Sequence, residues 1–587
     1  MNLVLIETSG NQQYIFATNK LRENVGASEL TYRVGTQWTF DAIRAAGGPD
    51  LWPEDADTFT LRENLLNQPQ IESSGGNPVE VVVATSGKAL LLVQERTVGK
   101  AIIRHVTSKA LESAPGIDVC GVISDDFEWN KCSLDEVNRC VHEIFEDVRA
   151  NRPGPVLRFL RLPVVNECAT SGLPAAKWDD LDPNDVGARS DVAIAKRDAR
   201  SAYKERMRRL LSRRRTQLGF AENVDKLIDK LETEASWLAV IHADGNGLGQ
   251  VFLEFGRYAA CERSEHNRSF VDKLRRFSLA LDICTEDAFL DTIDEWVRTD
   301  PGVWYRLPIL PIVLGGDDMT VVCDGRAALY FTVRFLRRFE ERSAQPVGIL
   351  SKDTDEEKNI IATIIRNRVS VCAGVSIIKP HFPFSTAYDL AEDLIRSAKQ
   401  VKEFVKHQEN GAPWPCSALD FHIHYDTSGT ALDQIRARLM VDAGETRLHC
   451  RPYVVTPITR LDGTDGKEWA ELHHWDELQR RVDALTETDD EGRRQLPNSQ
   501  MHDLRAGLFH GKAVVDARYK LIRHRYQAEQ KTTITAFDGD REETLFELEP
   551  RERRPQSSLE QECREIYATK LLDAMDVATL HESKREN

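Results

Sequence analysis

The chain has 587 residues, of which 41% are hydrophobic and 29% charged, with a formal net charge of −17. That length calls for several domains, each able to bury its own core, and the composition is that of a soluble globular protein. No apolar run reaches the roughly 18 residues of a membrane span, and the acidic balance excludes a surface given over wholly to nucleic acid, leaving only a local contact. Eleven cysteines between Cys120 and Cys563 form no C-x-x-C pair, which points to a reducing cytoplasm and away from a structural zinc ribbon. The opening MNLVLIETSG lacks a basic region and reads as a strand rather than a signal peptide.

In chain order, Leu3–Glu7 reads as a strand and Asn11–Ala46 as helix. Val79–Ala84 and Lys88–Val93 are strands around Thr85-Ser86-Gly87, followed by a helix over Val98–Ser113, a strand over Ile117–Ile123 and a helix over Leu134–Ala150. This β-α-β-β-α-β pattern marks residues 1–150 as a ferredoxin-like palm. Residues 151–235 form a helical connector, whose stretch from Ala188 to Leu211 reads as one long basic helix. Lys196–Arg215 holds ten Lys or Arg against two acids. Such a helix either meets the phosphates of RNA or stands as a strut against an acidic neighbour in its own chain.

Residues 236–425 carry the chemistry. The apolar strand Trp237–Ala243 ends in Asp244-Gly245-Asn246-Gly247, a glycine-rich turn whose N–H groups can approach a phosphate before the next helix begins. The stretch Pro308–Asp324 reads as a hairpin with Gly315-Gly316-Asp317-Asp318 on its turn, the glycines supplying positive φ and room for a ligand. Two neighbouring acids repel unless a cation lies between them, and hard carboxylate oxygens suit Mg²⁺ or Mn²⁺. Glycine and aspartate are also ordinary residues of a surface turn. With Asp244 added, Asp317 and Asp318 make the three-carboxylate set of a two-metal nucleotidyl-transfer site. Val369–Ile378 is a further strand, and the amphipathic helix Ser385–Lys406 brings Lys399 toward a triphosphate. Gly245, Asn246, Gly247, Gly315, Gly316 and Lys399 are the expected nucleotide-binding residues. Residues 426–587 turn helical and charged, with a loose tail after Phe537. His473-His474 and His502-Asp503 raise the thought of an HD-type metal site, which the absence of its other parts speaks against. The fold class is therefore α+β, two ferredoxin-like palm domains with a helical connector and a helical C-terminal domain.

The order β(Asp)–α–β–GGDD–β–α–β–α(Lys) is the palm layout of GGDEF-type cyclases and related polymerases. HADGNGLG, PIVLGGDDMTVV, AGVSIIKPHFPFSTAYDLAEDLIRSAK and CSALDFHIHY, in this order, resemble the large polymerase-like subunit of type III CRISPR effector complexes. ETSGNQQYIFATNKLRENVGASEL resembles the opening of that family's first palm, and LPNSQMHDLRAGLFHGKAVVDARY its helical C-terminal domain. RFLRLPVVNECATSGLPA resembles a segment that often carries zinc, but here only Cys168 remains, so no metal is expected there. The resemblance implies synthesis of cyclic oligoadenylates from ATP with Mg²⁺ or Mn²⁺ when target RNA is bound. Guide or target RNA and other CRISPR effector subunits are the implied partners, and adenine preference rests on the resemblance alone. The family's HD nuclease precedes its first palm, and this chain begins with that palm's strand, so DNA cleavage is expected to be missing.

The first palm departs from the catalytic pattern. Its strand carries Glu7 rather than Asp, and Ala84-Thr85-Ser86-Gly87 stands where GGDD would be. It cannot hold two metals, but it remains able to present a second nucleotide or to serve as a packing partner. Two other readings stay open: a nucleotide cyclase acting alone, outside a CRISPR complex, and a non-catalytic nucleotide- and RNA-binding scaffold subunit.

Overall fold

The computed structural model describes the chain outside residues 54–56, 74–75, 181–184, 214–227, 232–233, 300–307, 348–358, 426–430, 489–493, 529–532, 540–542, 550–564 and 583–587. Runs of Val, Leu and Ile place the first four strands, since branched side chains fit a pleated surface buried on its faces. They are β1 (Asn2–Ser9), β2 (Val79–Thr85), β3 (Lys88–Val93) and β4 (Asp118–Ile123), antiparallel in the order β2-β3-β1-β4. Helices α1 (Asn11–Ile15), α2 (Leu21–Gly35), α3 (Gln37–Ala45) and α4 (Thr58–Asn67) fill the first crossover. The second crossover is α5 (Arg96–Ser113), and α6 (Leu134–Ala150) follows β4. This is the ferredoxin-like arrangement expected.

The connector helix α7 (Asp191–Ser212) turns much of its charge inward. It lies along α2 so closely that a Cβ on Gly26 would stand 1.6 Å from the carbonyl oxygen of Lys196. Lys196 is buried, donates to the Tyr14 carbonyl and sits 4.3 Å above the Tyr14 ring. Arg197 pairs with Glu23 at 2.9 Å, Asp179 at 3.1 Å and Asp185 at 2.6 Å, and Arg206 pairs with Glu29 at 2.8 Å. Arg213 reaches Glu286 and, at 3.0 Å, Asp287. Of the two readings of the basic helix, the structure favours the strut: composition counts charge, and here much of that charge is spent on acids of the same chain. Arg214 and Arg215 lie outside the described residues.

The first palm's strand order recurs in the second. Strands β5 (Leu238–Gly245), β6 (Ile309–Gly315), β7 (Asp318–Asp324), β8 (Val371–Ile378), β9 (Ala418–Ile423) and β10 (Tyr453–Val454) pair in the order β10-β9-β8-β5-β7-β6. The four from β8 to β6 repeat β4-β1-β3-β2. Both hairpins even carry a register irregularity at the same distance from the turn, between Val81 and Val83 and between Pro311 and Val313. A proline has no N–H to give the ladder, so a bulge is where it fits. Helices α8 (Leu248–Leu253) and α9 (Asn267–Thr299) precede the hairpin, and α10 (Gly325–Ser343) follows it. Helix α11 (Phe384–Ala398) packs on the sheet at very short range: a Cβ on Gly374 would meet the Ala391 carbonyl oxygen at 2.0 Å.

Past residue 430 the chain is less purely helical than expected. Strand β10 joins the edge of the palm sheet, and two-residue strands at Met440–Val441, Thr446–Arg447, Glu547–Leu548 and Tyr567–Ala568 make a small sheet of their own. Around them lie α12 (Leu432–Ala437), α13 (Lys467–Leu472), α14 (Trp475–Thr486), α15 (Asn498–Leu508), α16 (Lys512–Ala528) and α17 (Leu571–Glu582). His473 and His474 are buried against the carbonyls of Cys450, at 2.6 Å, and Thr456, at 3.1 Å. His502 is exposed and Asp503 pairs with Arg518 at 2.8 Å, so these residues do not converge on a metal site. No helix of the described residues is long and apolar enough to cross a membrane.

Two stability tests follow from this packing. Gly374→Ala should lower the unfolding free energy by about 1–3 kcal/mol, because α11 must lift from β8 to admit a methyl group. Arg197→Ala should lower it by about 3 kcal/mol by stranding the buried Glu23 carboxylate, whereas Arg208→Ala on the exposed face should change it by less than about 0.5 kcal/mol. Urea melts of the three variants measure both.

Candidate active site

Three acids converge at one end of the second sheet. Asp244 is the penultimate residue of β5, Asp317 lies on the β6–β7 turn and Asp318 opens β7. Strands β5 and β7 are antiparallel neighbours with Ala243 opposite Met319, so the register carries Asp244 alongside Asp318. One oxygen from each of the three carboxylates lies within 4.8 Å of the others, and no other such group of acidic, His or Cys ligands occurs among the described residues.

The local sequence explains the crowding. A Cβ on Gly245 would stand 2.8 Å from Asp317 Oδ2 and 2.5 Å from Leu248 Cδ1, so glycine is needed for Asp317 to lie against the backbone. The backbone of Gly245 favours the charged form of that carboxylate. Removal from water, then the charge of Asp244, pushes the Asp317 carboxyl up to about 7. Burial and the charges of Asp317 and Asp244 push Asp318 well above the usual range as well. Lys399, which caps the C-terminal end of α11, offsets part of this repulsion through an ion pair with Asp244. His242, two residues before Asp244, adds no positive charge: burial holds it near 4, and its Nδ1 bonds to Thr320 Oγ1 at 3.0 Å. Its ring lies 5.1 Å from that of Tyr388, which stacks at 4.9 Å on Phe16 of the first palm. The first palm thus walls one flank of the site.

Of the expected nucleotide-binding residues, several have other work. The Asn246 N–H donates to the Ser370 carbonyl at 2.9 Å, and its side chain donates to Ser370 Oγ at 2.9 Å and the Cys416 carbonyl at 3.2 Å. Asn246 ties the turn to the sheet and has no donor left for a phosphate. Gly315 does not clear ligand space, while Gly316, at φ 61°, has nothing within 4 Å of where a Cβ would be and leaves its side of the turn open. A Cβ on Gly315 would stand 2.9 Å from Asp282 Oδ1, the Gly316 N–H donates to that same oxygen at 3.1 Å, and the Gly316 carbonyl accepts from Thr285 Oγ1. They seat the acidic turn on α9. Gly247, at φ 75°, opens α8 with nothing within 4 Å of where a Cβ would be, so this part of the turn stays accessible.

Sequence reasoning did not single out Asp282, Thr285 or Arg62. Arg62 of α4, 220 residues from Asp282 in the chain, pairs with Asp282 and, at 3.0 Å, with Glu286. It thereby anchors the first palm to the residues that hold the acidic turn. No local motif marks any of the three.

The first palm's equivalent site is an ion pair. Glu7 lies opposite Lys88 across β1 and β3, and Thr85 closes on Lys88 across the turn. Matching this hairpin to the second aligns Thr85-Ser86-Gly87-Lys88 with Gly315-Gly316-Asp317-Asp318, one residue later than the sequence suggested. Glu7 takes the place of Asp244 and Lys88 that of Asp318, and they pair at 2.8 Å. Two opposite charges satisfy each other there without a metal. In the second palm, three crowded carboxylates, with the proton affinity of Asp317 and Asp318 raised, and no competing sulfur or imidazole fit a hard divalent ion such as Mg²⁺ or Mn²⁺.

Comparison with known proteins places these residues. Residues 237–406 match the family model for the Cas10/Cmr2 second palm domain. No curated protein matches the chain. Among solved structures, it is similar to the type III-B Cmr-beta complex in its apo state, with a TM-score of 0.45 and 11% identity over 99% of this chain and 81% of that one. It is also similar to a Csm1–Csm4 cassette in complex with cA4, with a TM-score of 0.40 and 9% identity over 90% of this chain and 63% of that one. For a cassette with AMPPNP the figures are 0.41 and 10%, over 92% and 64%. The chain therefore spans just under two thirds of these two Csm1–Csm4 chains.

The carboxyl crowding has a measurable sign. A group whose folded pKa is raised favours the folded state below its unfolded value and loses that contribution as pH rises; for Asp317 the window runs from 3.8 to about 7. In EDTA, Asp317→Asn should match the wild type near pH 4 and be more stable above pH 7. The expected gain is on the order of 2 kcal/mol, after discounting for solvent screening of a partly exposed group. Mg²⁺ at pH 8 should stabilise the wild type more than the variant. Denaturant melts across pH check both statements.

Proposed function

We propose that the chain, whose residues 237–406 match the family model for the Cas10/Cmr2 second palm domain, is a nucleotidyltransferase of CRISPR-type antiviral defence, dependent on Mg²⁺ or Mn²⁺, that joins ATP into cyclic oligoadenylates. The observation that carries this reading is the convergence of Asp244, Asp317 and Asp318. When bound there, divalent ions would supply charge to activate a 3′-hydroxyl and to stabilise the departing pyrophosphate.

The chain's own residues do the rest by position. Asp317 and Asp318 hold protons or metal, not both, so their raised proton affinity makes loading steeper with pH. Once Asp244 is shared with metal, the Lys399 ammonium is available to an incoming triphosphate, as a lysine point charge commonly is. Asp282 and Thr285 keep the Gly316 peptide still, so Asp317 and Asp318 need not be reordered when substrate arrives. Tyr388 and Phe16 shield the flank from water.

Work within a complex is favoured over action alone by the connector. Val156, Leu157, Leu160, Leu162 and Val164 are 64%, 80%, 81%, 51% and 91% exposed, an apolar run that suits a covering protein subunit. We assign RNA dependence to the assembled complex rather than to α7, whose arginines largely serve the chain itself. A non-catalytic scaffold is disfavoured because the second palm keeps all three acids while the first has exchanged its cluster for the Glu7–Lys88 pair.

Two experiments test the reading. Incubation with each NTP and Mg²⁺, with and without guide–target RNA and partner subunits, should give oligonucleotide products from ATP by mass spectrometry, and Asp317→Ala/Asp318→Ala should abolish them with the fold retained. Product from the double variant, or none from the wild type under any of these conditions, rejects it. Calorimetry with a non-hydrolysable ATP analogue should find one site per chain lost on chelating Mg²⁺. Any second site, on the first palm, should be indifferent to chelation.

A further inference from the structure

A cavity of about 210 Å³ opens where the far end of β9 meets α12, α15 and α17. Strand register sets it apart from the acid cluster. Cys372 of β8 lies opposite Asp244, whereas Ser376, four residues on, lies opposite His422 of the cavity wall, roughly 13 Å further along the strand. Ile435, Leu439 and Leu572 make the wall largely apolar, and the rings of Tyr425 and Phe509 line it while 54% and 48% exposed. One exposed aromatic is ordinary, but two on a single concave site offer flat faces to a ligand. Trp237 packs edge-on against Tyr425 at 5.6 Å between ring centroids and so holds that face in place.

Three polar groups of the lining are open. The His422 side chain makes no hydrogen bond among the described residues, and neither ring nitrogen is sealed from solvent. Burial, then the charge of Arg451, pushes His422 down to about 2, so the neutral ring presents one N–H and one lone pair. Asp576 accepts from Arg505 at 2.9 Å and from the Tyr425 hydroxyl at 3.4 Å, both through Oδ1. Its Oδ2 takes no bond among the described residues and is not enclosed. Of the guanidiniums in the lining, Arg451 is neutralised by Asp573 at 2.8 Å and Arg505 by Asp576. Arg438 is exposed and has no carboxylate partner among the described residues. Lys379, exposed and likewise without one, stands 3.5 Å from the Trp237 ring centroid.

We propose that this cavity binds a single nucleotide, with the base inside against Tyr425 and Phe509 and the phosphate outside at Arg438. The neutral His422 ring and the open Asp576 oxygen match the mixed donors and acceptors of a base edge. The volume is below the roughly 300–1,000 Å³ of sites that enclose whole small molecules, which fits a base alone with its sugar and phosphate at the mouth. Aromatic faces for the base and cations outside for the backbone are how single-stranded nucleic acid is held, and a free mononucleotide offers the same chemistry. The site is independent of the acid cluster and of the proposed catalysis.

The test is calorimetric titration of the full chain in EDTA at low salt, where the metal-free acid cluster repels anions, with AMP, inorganic pyrophosphate and a mixed-sequence single-stranded hexaribonucleotide in separate runs. One saturable nucleotide site per chain is expected, and pyrophosphate, which has no base to stack, should bind at least about tenfold more weakly than AMP. A hexaribonucleotide that binds tighter than AMP identifies single-stranded RNA as the occupant; one that binds no tighter identifies a free nucleotide. Phe509→Ala should weaken binding about tenfold, the loss of one stacking face. Arg438→Ala should weaken it about two- to fivefold, an effect that high salt removes. Both side chains are exposed, so neither variant should shift the melting temperature. No saturable binding of AMP or the hexaribonucleotide, pyrophosphate binding as tightly as AMP, or binding left unchanged by either variant would overturn the proposal.

Discussion

Mutual repulsion of three carboxylates is the constraint around which the second palm is arranged. Asp244, Asp317 and Asp318 are brought together by strand register and a glycine, and the surrounding groups respond to that fact. Lys399 is drawn across from α11, His242 is kept neutral by burial, and the turn is clamped by two side chains of α9. None of these contacts would be needed if the turn were an ordinary acidic one. A fold that holds like charges in place against their repulsion is preorganised for a cation, because the structural work is complete before the ion arrives.

The same constraint explains how the halves of the molecule are joined. Arg62 enters from the first palm and pairs with Asp282 and Glu286, and Arg213 at the end of α7 pairs with Glu286 and Asp287. Each arginine stabilises acids that stand next to, or themselves hold, the acidic turn. Buried pairs of this kind contribute modestly to net stability but are strongly destabilising when halved, so they fix one relative placement of the elements they join.

What was legible in the sequence was what local pattern encodes. An apolar strand running into Asp244 and a glycine turn, and a hairpin with two acids at its tip, are read directly from period and turn chemistry. So are the four strands of the first palm. What was not legible depends on partners distant in the chain. Gly315 looked like space for a ligand because Asp282, which stands 2.9 Å from where its Cβ would be, lies far upstream within a long helix. Helix α7 could be read as an RNA contact or as a strut, and composition could not choose between them because Glu23 lies 174 residues before Arg197. Asn246 looked like a phosphate donor until Ser370 and Cys416 claimed it. The strands of two residues past residue 430 carry no periodicity at all, and the one-residue offset in the first hairpin is visible only from cross-strand register.

The matching irregularities at Val81/Val83 and Pro311/Val313 have a broader consequence. A bulge sets how sharply a hairpin coils, so two hairpins with the same defect at the same place aim their tips alike. The two palms are then one geometric frame used twice, with the chemistry written on a few interchangeable tip residues. Glu7, Gly87 and Lys88 occupy the very stations of Asp244, Asp317 and Asp318, so an acidic cluster and an ion pair differ at the level of side chains while the backbone is held in common. Such a molecule can carry different chemistry on its two hairpin tips without refolding.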